Sequence, residues 1–441
     1  MTMTVRFGTD GIRGRALEDI TTDLAYRLGR GVAEVFSAPV FVGYDTRESS
    51  PLLARAVLAG LADGGARGVS LGYFTTPGVA VIAQQREGVG VVVSASHNPY
   101  YDNGLKVIGP GGTKLDHATE RTVADSLNSA PAPAHATFDE VAIDERAQHD
   151  YAAHLRSLVP RDLSSLHLVL DCANGSASHV AHELFESTGA RVTIIHDRPD
   201  GRNINEQCGS THVESLVAAV LELGADLGLA FDGDADRLIA VDARGRVRDG
   251  DDLMVLFALD LEKHRELDGG LVVTSMSNLG LHQALREAGI TIVETDVGDR
   301  NVLMALEDRS WHFGGEQSGH LIFRRLSPTG DGLLTGLMLC DLVVRRGPLA
   351  ELADAAWRRQ PQALINVARD LYDEAAVVEL FDELRDAYAI DVAAVRLLIR
   401  PSGTEPVVRV MIEAIDAQFV AEFSDRLGRL AHHEPLSPKA R

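Results

Sequence analysis

The sequence predicts an α/β fold divided into several domains, and three observations carry that expectation. Apolar runs such as Val91–Val93, Ala225–Phe231 and Leu271–Thr274 end abruptly in small and polar residues, as buried strands do where they leave a sheet. Amphipathic or capped stretches alternate with them, the order that yields parallel strands joined by right-handed crossovers. At 441 residues the chain exceeds what one core can hold, so about three or four domains of ordinary size are expected.

Composition narrows the function. Hydrophobic residues make up 45% and charged residues 24%, ordinary for a globular protein. A formal charge of -22 argues against nucleic acid or an anionic membrane as partner. An anionic small molecule would need a locally basic site. Lysine occurs only at 106, 114, 263 and 439, so arginine must supply most of that charge. Three cysteines without CxxC spacing point to reduced thiols, and no run reaches signal-peptide or membrane-span length. A cytoplasmic location is expected.

Taken in order, residues 6–14 read as a glycine-punctuated loop that ends on Arg13. Thr22 is expected to cap a helix with Leu24, Leu28, Val32 and Val35 on one face. Val40–Gly43 reads as a strand and Asp45–Ser49 as the loop after it. Ser50-Pro51 opens a helix that Gly64-Gly65 closes, and Val69–Leu71 is the next strand. Val91–Val93 then runs into Ser94-Ala95-Ser96-His97-Asn98-Pro99. That places a hydroxyl at a strand's carboxyl end, where open α/β sheets keep their ligands. Lys106 follows ten residues after Ser96. An irregular connection covers residues 128–137. Further strand-loop-helix units begin near Leu166, at Ala225 and at Gly270, a degenerate repeat without strict period. From about residue 366 the order is helix, strand Val395–Ile399, strand Val407–Ile412 and helix, a small α+β domain with a frayed tail at 432–441.

Three more stretches carry chemistry. In Asp232-Gly233-Asp234-Ala235-Asp236-Arg237 the carboxylates at alternate positions would spread over roughly 13 Å on a straight strand. To meet on one hard cation, with ligands at about 2.1 Å for magnesium, the segment must curl, which Gly233 permits. An EF-hand is excluded, because Arg237 stands where that loop needs glycine and Ala243 where it needs glutamate. No His or Cys cluster accompanies the aspartates, so magnesium fits better than zinc. Gly314–His320 places Glu316, Ser318 and His320 at alternate positions, able to hydrogen-bond a polyhydroxylated ligand. Arg400-Pro401-Ser402-Gly403-Thr404-Glu405-Pro406, with Arg409 beyond, combines arginine forks, hydroxyls and a backbone nest suited to an anion. No Walker sequence and no GxGxxG occurs. With these motifs downstream, Ser96 becomes the candidate carrier of a phosphoryl group.

The five motifs, in this order, resemble the α-D-phosphohexomutase family over essentially the whole chain. The resemblance implies four domains around a central cleft, three sharing one α/β topology and a distinct α+β domain last. They are expected at 1–155, 156–255, 256–365 and 366–441. It further implies that Ser96 is the phosphoserine nucleophile and donor, and that Asp232, Asp234 and Asp236 hold Mg²⁺ together with the Ser96 phosphate. Arg13, His97, Lys106 and Arg237 line the catalytic end in that pattern. Asp299, Glu316, Gln317, Ser318 and His320 face the sugar, and Arg400, Ser402, Gly403, Thr404 and Arg409 grip its phosphate. The implied reaction moves a phosphoryl group between O6 and O1 of a hexose phosphate through a 1,6-bisphosphate, which also primes the serine. Phe7–Gly14, Met276–Gly280, Val297–Arg300 and Gln317 resemble the branch that acts on glucosamine phosphates in amino-sugar synthesis. The same chemistry on glucose or mannose phosphates is the alternative, followed by a non-catalytic sugar-phosphate-binding protein. The expected partner is a small phosphosugar, and the resemblance is compatible with a homodimer.

Overall fold

The computed structural model describes residues 8, 11–134, 137–401 and 406–431. They form two compact units, one of residues 1–276 with 290–355 and one of 277–289 with 356–441.

The first unit carries three sheets. The first contains β1 (Ile12–Arg15), β2 (Val40–Tyr44), β3 (Gly68–Tyr73), β4 (Val89–Val93) and β5 (Asp102–Ile108), in the order β1-β5-β4-β2-β3. Its centre is β2 and β4, whose Val40, Val42, Val91, Val92 and Val93 are all fully buried. Each such side chain contributes on the order of 1.5–3 kcal/mol of burial. The helices Thr22–Val35 and Ser50–Asp63 pack on one another so closely that a Cβ on Gly29 or Gly60 would strike the facing backbone. Parallel strands were expected, and β2 does pair parallel with both β3 and β4, but the other side of the sheet differs. β4 and β5 pair antiparallel, as do β5 and β1. The reason is length, because only residues 94–101 separate β4 from β5 and a parallel crossover needs a dozen or more. Arg13 accordingly sits on a strand, opposite Gly104, and not in a loop. The cap of the first helix is Thr21 and not Thr22: its hydroxyl accepts from Leu24 N–H at 3.1 Å.

The second sheet contains β6 (His167–Asp171), β7 (Arg191–Ile195), β8 (Leu227–Phe231), β9 (Leu238–Asp242) and β10 (Val247–Arg248), ordered β10-β9-β8-β6-β7. β8 and β9 are antiparallel neighbours, so the aspartate motif is their connecting turn. The third sheet contains β11 (Gly270–Thr274), β12 (Thr291–Thr295), β13 (Phe313–Gly315) and β14 (Leu321–Phe323), ordered β12-β11-β13-β14. The β13–β14 hairpin carries Glu316 to His320.

The second unit is built on β15 (Gln362–Ala368), β16 (Val395–Pro401) and β17 (Val407–Ala414), an antiparallel sheet ordered β15-β17-β16. The helices Glu374–Tyr388 and Ala417–Ala431 contribute Leu380, Leu384, Phe419 and Phe423 to its core. The sequence reading missed β15. Its Leu364 is half exposed while Val367 is buried, so the alternation is weak, and the strand straddles the residue where that reading began. Helix Leu279–Glu287 also belongs to this unit: its cap Asn278 exchanges hydrogen bonds with Gln360 at 2.8 and 3.0 Å. The expected frayed tail at 432–441 lies outside the described residues.

Candidate active site

Ser96 sits one turn beyond β4 and is 1% exposed. Its neighbourhood is assembled from the loop after β2. Ser94 donates its hydroxyl to Asp45 Oδ2 at 2.6 Å, and Ser96 N–H donates to Ser94 Oγ at 2.9 Å. Ser96 has φ +51°, in the left-handed region that costs an ordinary residue about 1–2 kcal/mol. Strain of this kind persists where surrounding bonds fix it and concentrates at functional sites. The rotated backbone aims Ser96 Oγ across the sheet junction. It donates to Asp232 Oδ2 at 2.5 Å, with His97 Nδ1 at 3.3 Å.

Asp232, Asp234 and Asp236 are all buried, and one carboxylate oxygen from each lies within 4.8 Å of the others. The turn curls as the spacing argument requires, with Ala235 N–H on Asp232 O at 3.0 Å and Ala235 itself at φ +60°. Gly233 is there for space: a Cβ on it would stand 2.5 Å from Ser96 O. Burial, followed by the charges of Asp236 and Asp234, holds the Asp232 carboxyl well above the usual carboxylate range. Asp234 Oδ2 accepts from Thr76 Oγ1 at 2.6 Å and from Lys106 Nζ at 3.0 Å. Asp236 Oδ1 is buried with no hydrogen-bond partner among the described residues, Arg237 Nε being 3.8 Å away. Three converging buried carboxylates, one with an unsatisfied oxygen, and a serine hydroxyl form an all-oxygen donor set. That set fits a hard divalent cation.

Cationic and titratable groups surround the cluster. Burial works against the charge on Arg237, yet Asp236, Asp232, Glu316 and Asp234 outweigh it and raise its pKa above the ordinary value. For His97, burial and then the charges of Arg237 and Arg13 push the pKa down to about 4, so its imidazole is neutral near pH 7. Arg13 also donates from Nη1 to Ala95 O at 3.4 Å.

The β13–β14 hairpin reaches the same place. Glu316 is buried and accepts from Gly298 N–H at 2.9 Å. Leu238 N–H, just past the aspartate turn, donates to Gly319 O at 3.1 Å and fastens the hairpin to β9. His320 is 3% exposed, with Nδ1 at 3.6 Å from Asp236 and Nε2 at 3.9 Å from Asp299. Burial opposes its charge, but Asp236, Asp299 and Glu316 prevail and raise its pKa to about 9. Asp299 also pairs with Lys114 Nζ at 2.5 Å. Gln317 donates from Nε2 to Asp251 Oδ2 at 3.0 Å, and Ser318 Oγ is buried without a hydrogen-bond partner among the described residues. A cavity of about 40 Å³ brings Thr76, Lys106, Lys114, Asp236 and Asp299 to one wall.

In the second unit, Arg400 and Arg409 are register partners across β16 and β17 and so share a face of that sheet. Ser402, Gly403 and Thr404, expected to join them, lie outside the described residues. Of the expected residues, the structure brings Ser96, the three aspartates and His97 together. It missed Asp45, Arg47, Thr76, Lys114 and Asn205, all within this constellation. Asp45 and Arg47 had a legible signal, since they leave β2 at the same sheet end where Ser96 leaves β4.

Comparison with known proteins gives a consistent result. Sequence models described as phosphoglucomutase/phosphomannomutase alpha/beta/alpha domains I, II and III match residues 4–133, 149–245 and 249–360, and the C-terminal domain model matches 364–429. A phosphoglucosamine mutase of Rhodococcus erythropolis is 44% identical over 440 residues, covering 96% of this chain and 98% of its own. That of Thermobifida fusca is 46% identical over 445 residues, covering 98% and 99%. In fold, the chain resembles a phosphoglucomutase/phosphomannomutase family protein from Burkholderia thailandensis, with a TM-score of 0.79, 24% identity and coverage of 100% and 99%. It also resembles N-acetylphosphoglucosamine mutase of Aspergillus fumigatus, solved in complex with GlcNAc-6P and magnesium, with a TM-score of 0.68, 19% identity and coverage of 97% and 96%.

Proposed function

The chain belongs to the phosphoglucomutase/phosphomannomutase family, and on that premise we propose that it is an isomerase interconverting glucosamine 6-phosphate and glucosamine 1-phosphate. The observation that carries this reading is Ser96 Oγ held 2.5 Å from Asp232, beside two further buried aspartates and the Lys106 ammonium. A serine so placed is a phosphoryl carrier.

In this reading phospho-Ser96 gives its phosphoryl group to O1 of glucosamine 6-phosphate, leaving a 1,6-bisphosphate. The sugar turns over, and Ser96 recovers the phosphoryl group from O6. Asp232, Asp234 and Asp236, with the Ser96 oxygen, would hold Mg²⁺, which when bound neutralises charge on the transferring group. Lys106 and Arg237 supply fixed positive charge beside the transferring oxygens. Either His97, neutral near pH 7, or Lys106 takes the proton of the attacking sugar hydroxyl and returns it to the sugar oxygen that leaves in the second transfer. Asp299, Glu316 and His320, with Gln317 and Ser318, set the sugar's orientation. Arg400 and Arg409, with residues 402–404, are assigned to the phosphate that does not react.

Preference for the amino sugar follows from charge. Glu316 and Asp299 offer acceptors to an ammonium at C2, and losing a charged hydrogen bond costs about 1.5–3 kcal/mol. The test compares glucosamine, glucose and mannose 6-phosphates with the matching 1,6-bisphosphate present. Glucosamine 6-phosphate should lead by roughly tenfold to a hundredfold in kcat/KM. A better rate with glucose or mannose 6-phosphate would move the assignment to those sugars.

A further inference from the structure

The carbonyl oxygen of Ser96 is where three separate segments meet. Arg47, wholly buried, pairs through Nε with Asp45 Oδ2 at 2.8 Å. Its Nη2 donates to Ser96 O and Asn98 O, both at 2.9 Å, and its Nη1 reaches Pro99 O. Asn205, from the segment after β7, donates from Nδ2 to the same two carbonyls, at 2.9 and 3.1 Å. Ser96 O thus receives two donors, which uses both of its lone pairs. Gly233, in the aspartate turn, closes the remaining side.

Asn205 itself is built in. Its N–H donates to Ala173 O at 2.9 Å and its φ is +58°. Around it, Thr46 Oγ1 donates to Asn174 O at 2.6 Å and Glu48 N–H to Gly201 O at 2.9 Å. The Thr46 hydroxyl thus ties the loop after β2 to the loop after β6, and the Glu48 amide ties it to the segment after β7, both without help from the Asn205 side chain. The amide is therefore free of a joining task, and its two donors go to the serine loop.

We propose that Arg47 and Asn205 are positioning residues for phosphoryl transfer on Ser96, an inference that rests on the function proposed above. Together they clamp the carbonyls of residues 96 and 98, hold Ser96 in its left-handed conformation, and so fix Oγ against Asp232. Both side chains are buried, and their donors go to the serine loop. Their effect falls on the rate of transfer and not on substrate affinity. A displacement of about 1 Å at a reacting atom is enough to cost roughly a hundredfold in rate.

The experiment uses the full chain with Asn205→Ala and Asn205→Asp. The aspartate variant keeps the shape but sets a charged acceptor against two carbonyl oxygens. The expected result for Asn205→Ala is a fall in kcat of at least about tenfold with KM within about twofold, and a larger fall for Asn205→Asp. Phosphorylation of Ser96 by glucosamine 1,6-bisphosphate, followed by intact mass, should slow in parallel. If Asn205→Asp does not fold, Asn205→Ala decides alone, because it removes the clamp's donors without setting a charge against the carbonyls. A kcat within about twofold of wild type, or a loss expressed equally in KM, overturns the clamp. Wild-type protein inert toward every hexose phosphate would instead overturn the function, and the clamp is then read by hydrogen exchange. Amides of residues 96–102 must exchange faster in Asn205→Ala, and unchanged exchange overturns the proposal.

Discussion

Replacing Asp232 with asparagine should make the metal-free protein more stable, although it removes a buried hydrogen-bonded carboxylate. Asp232 faces the charges of Asp234 and Asp236 within 4.8 Å. At an effective dielectric of about 20, each such pair repels by about 3.5 kcal/mol. The Arg237 charge opposes them and weighs less than either one, so it offsets at most about one of them. That leaves about 3.5 kcal/mol, and exchanging the charged acceptor of the Ser96 hydroxyl for a neutral amide returns about 1.5 kcal/mol, so the net gain where Asp232 is ionised is about 2 kcal/mol. The sign also appears in pH. The carboxyl of Asp232 is raised in the folded state, so its contribution is fully present below the unfolded carboxylate pKa. It is lost as pH rises through the folded value. Metal-free wild type should therefore lose stability on going from acid to neutral pH, and Asp232→Asn should flatten that loss. Magnesium reverses the ranking: at about a hundred times its Kd it adds about 2.7 kcal/mol to wild type. The variant should gain much less. Asp234→Asn provides the contrast: it relieves the same carboxylate repulsion but also neutralises the partner that Lys106 holds at 3.0 Å, so its metal-free gain should be smaller. The assay is thermal unfolding of both variants in EDTA and in Mg²⁺. A lower metal-free Tm for Asp232→Asn, with equal Mg²⁺ stabilisation of variant and wild type, would refute the reasoning.

Two further outcomes are expected. His320, raised to about 9 by Asp236, Asp299 and Glu316 against its burial, contributes stability that is full below about pH 6.5 and lost through pH 9. In metal-free protein His320→Gln should abolish that part of the pH profile, and an NMR titration of His320 near the ordinary value would contradict it. Arg409→Ala should raise KM for the phosphosugar by roughly tenfold to a hundredfold with a smaller effect on kcat, the loss of one charged hydrogen bond to phosphate. Unchanged KM would remove this arginine from substrate binding.

The sequence made the chemistry more legible than the scaffold around it. Asp232, Asp234 and Asp236 could be read as one cluster because alternate carboxylates cannot meet unless the chain curls, and β8 to β9 is such a turn. Ser96 was legible because Val91–Val93 is unmistakably a buried strand with a polar exit. The antiparallel side of the first sheet was missed, since alternation of strands and helices gives no warning that residues 94–101 form a tight return. Arg47 and Asn205 escaped notice for a different reason. Their partners are backbone carbonyls, which have no signature in sequence, and Asn205 meets Ser96 across 109 positions. Gln317, expected at the sugar, has a partner that no motif shows, since its Nε2 donates to Asp251.

The most direct test of the central claim is to find the phosphoryl group. Protein incubated with glucosamine 1,6-bisphosphate and Mg²⁺, then analysed by intact mass and peptide mapping, should carry one phosphate on Ser96. Ser96→Ala should carry none and lose mutase turnover while keeping its fold, because the side chain lost is small. A phosphate mapped to another residue, or undiminished turnover by Ser96→Ala, would contradict the account.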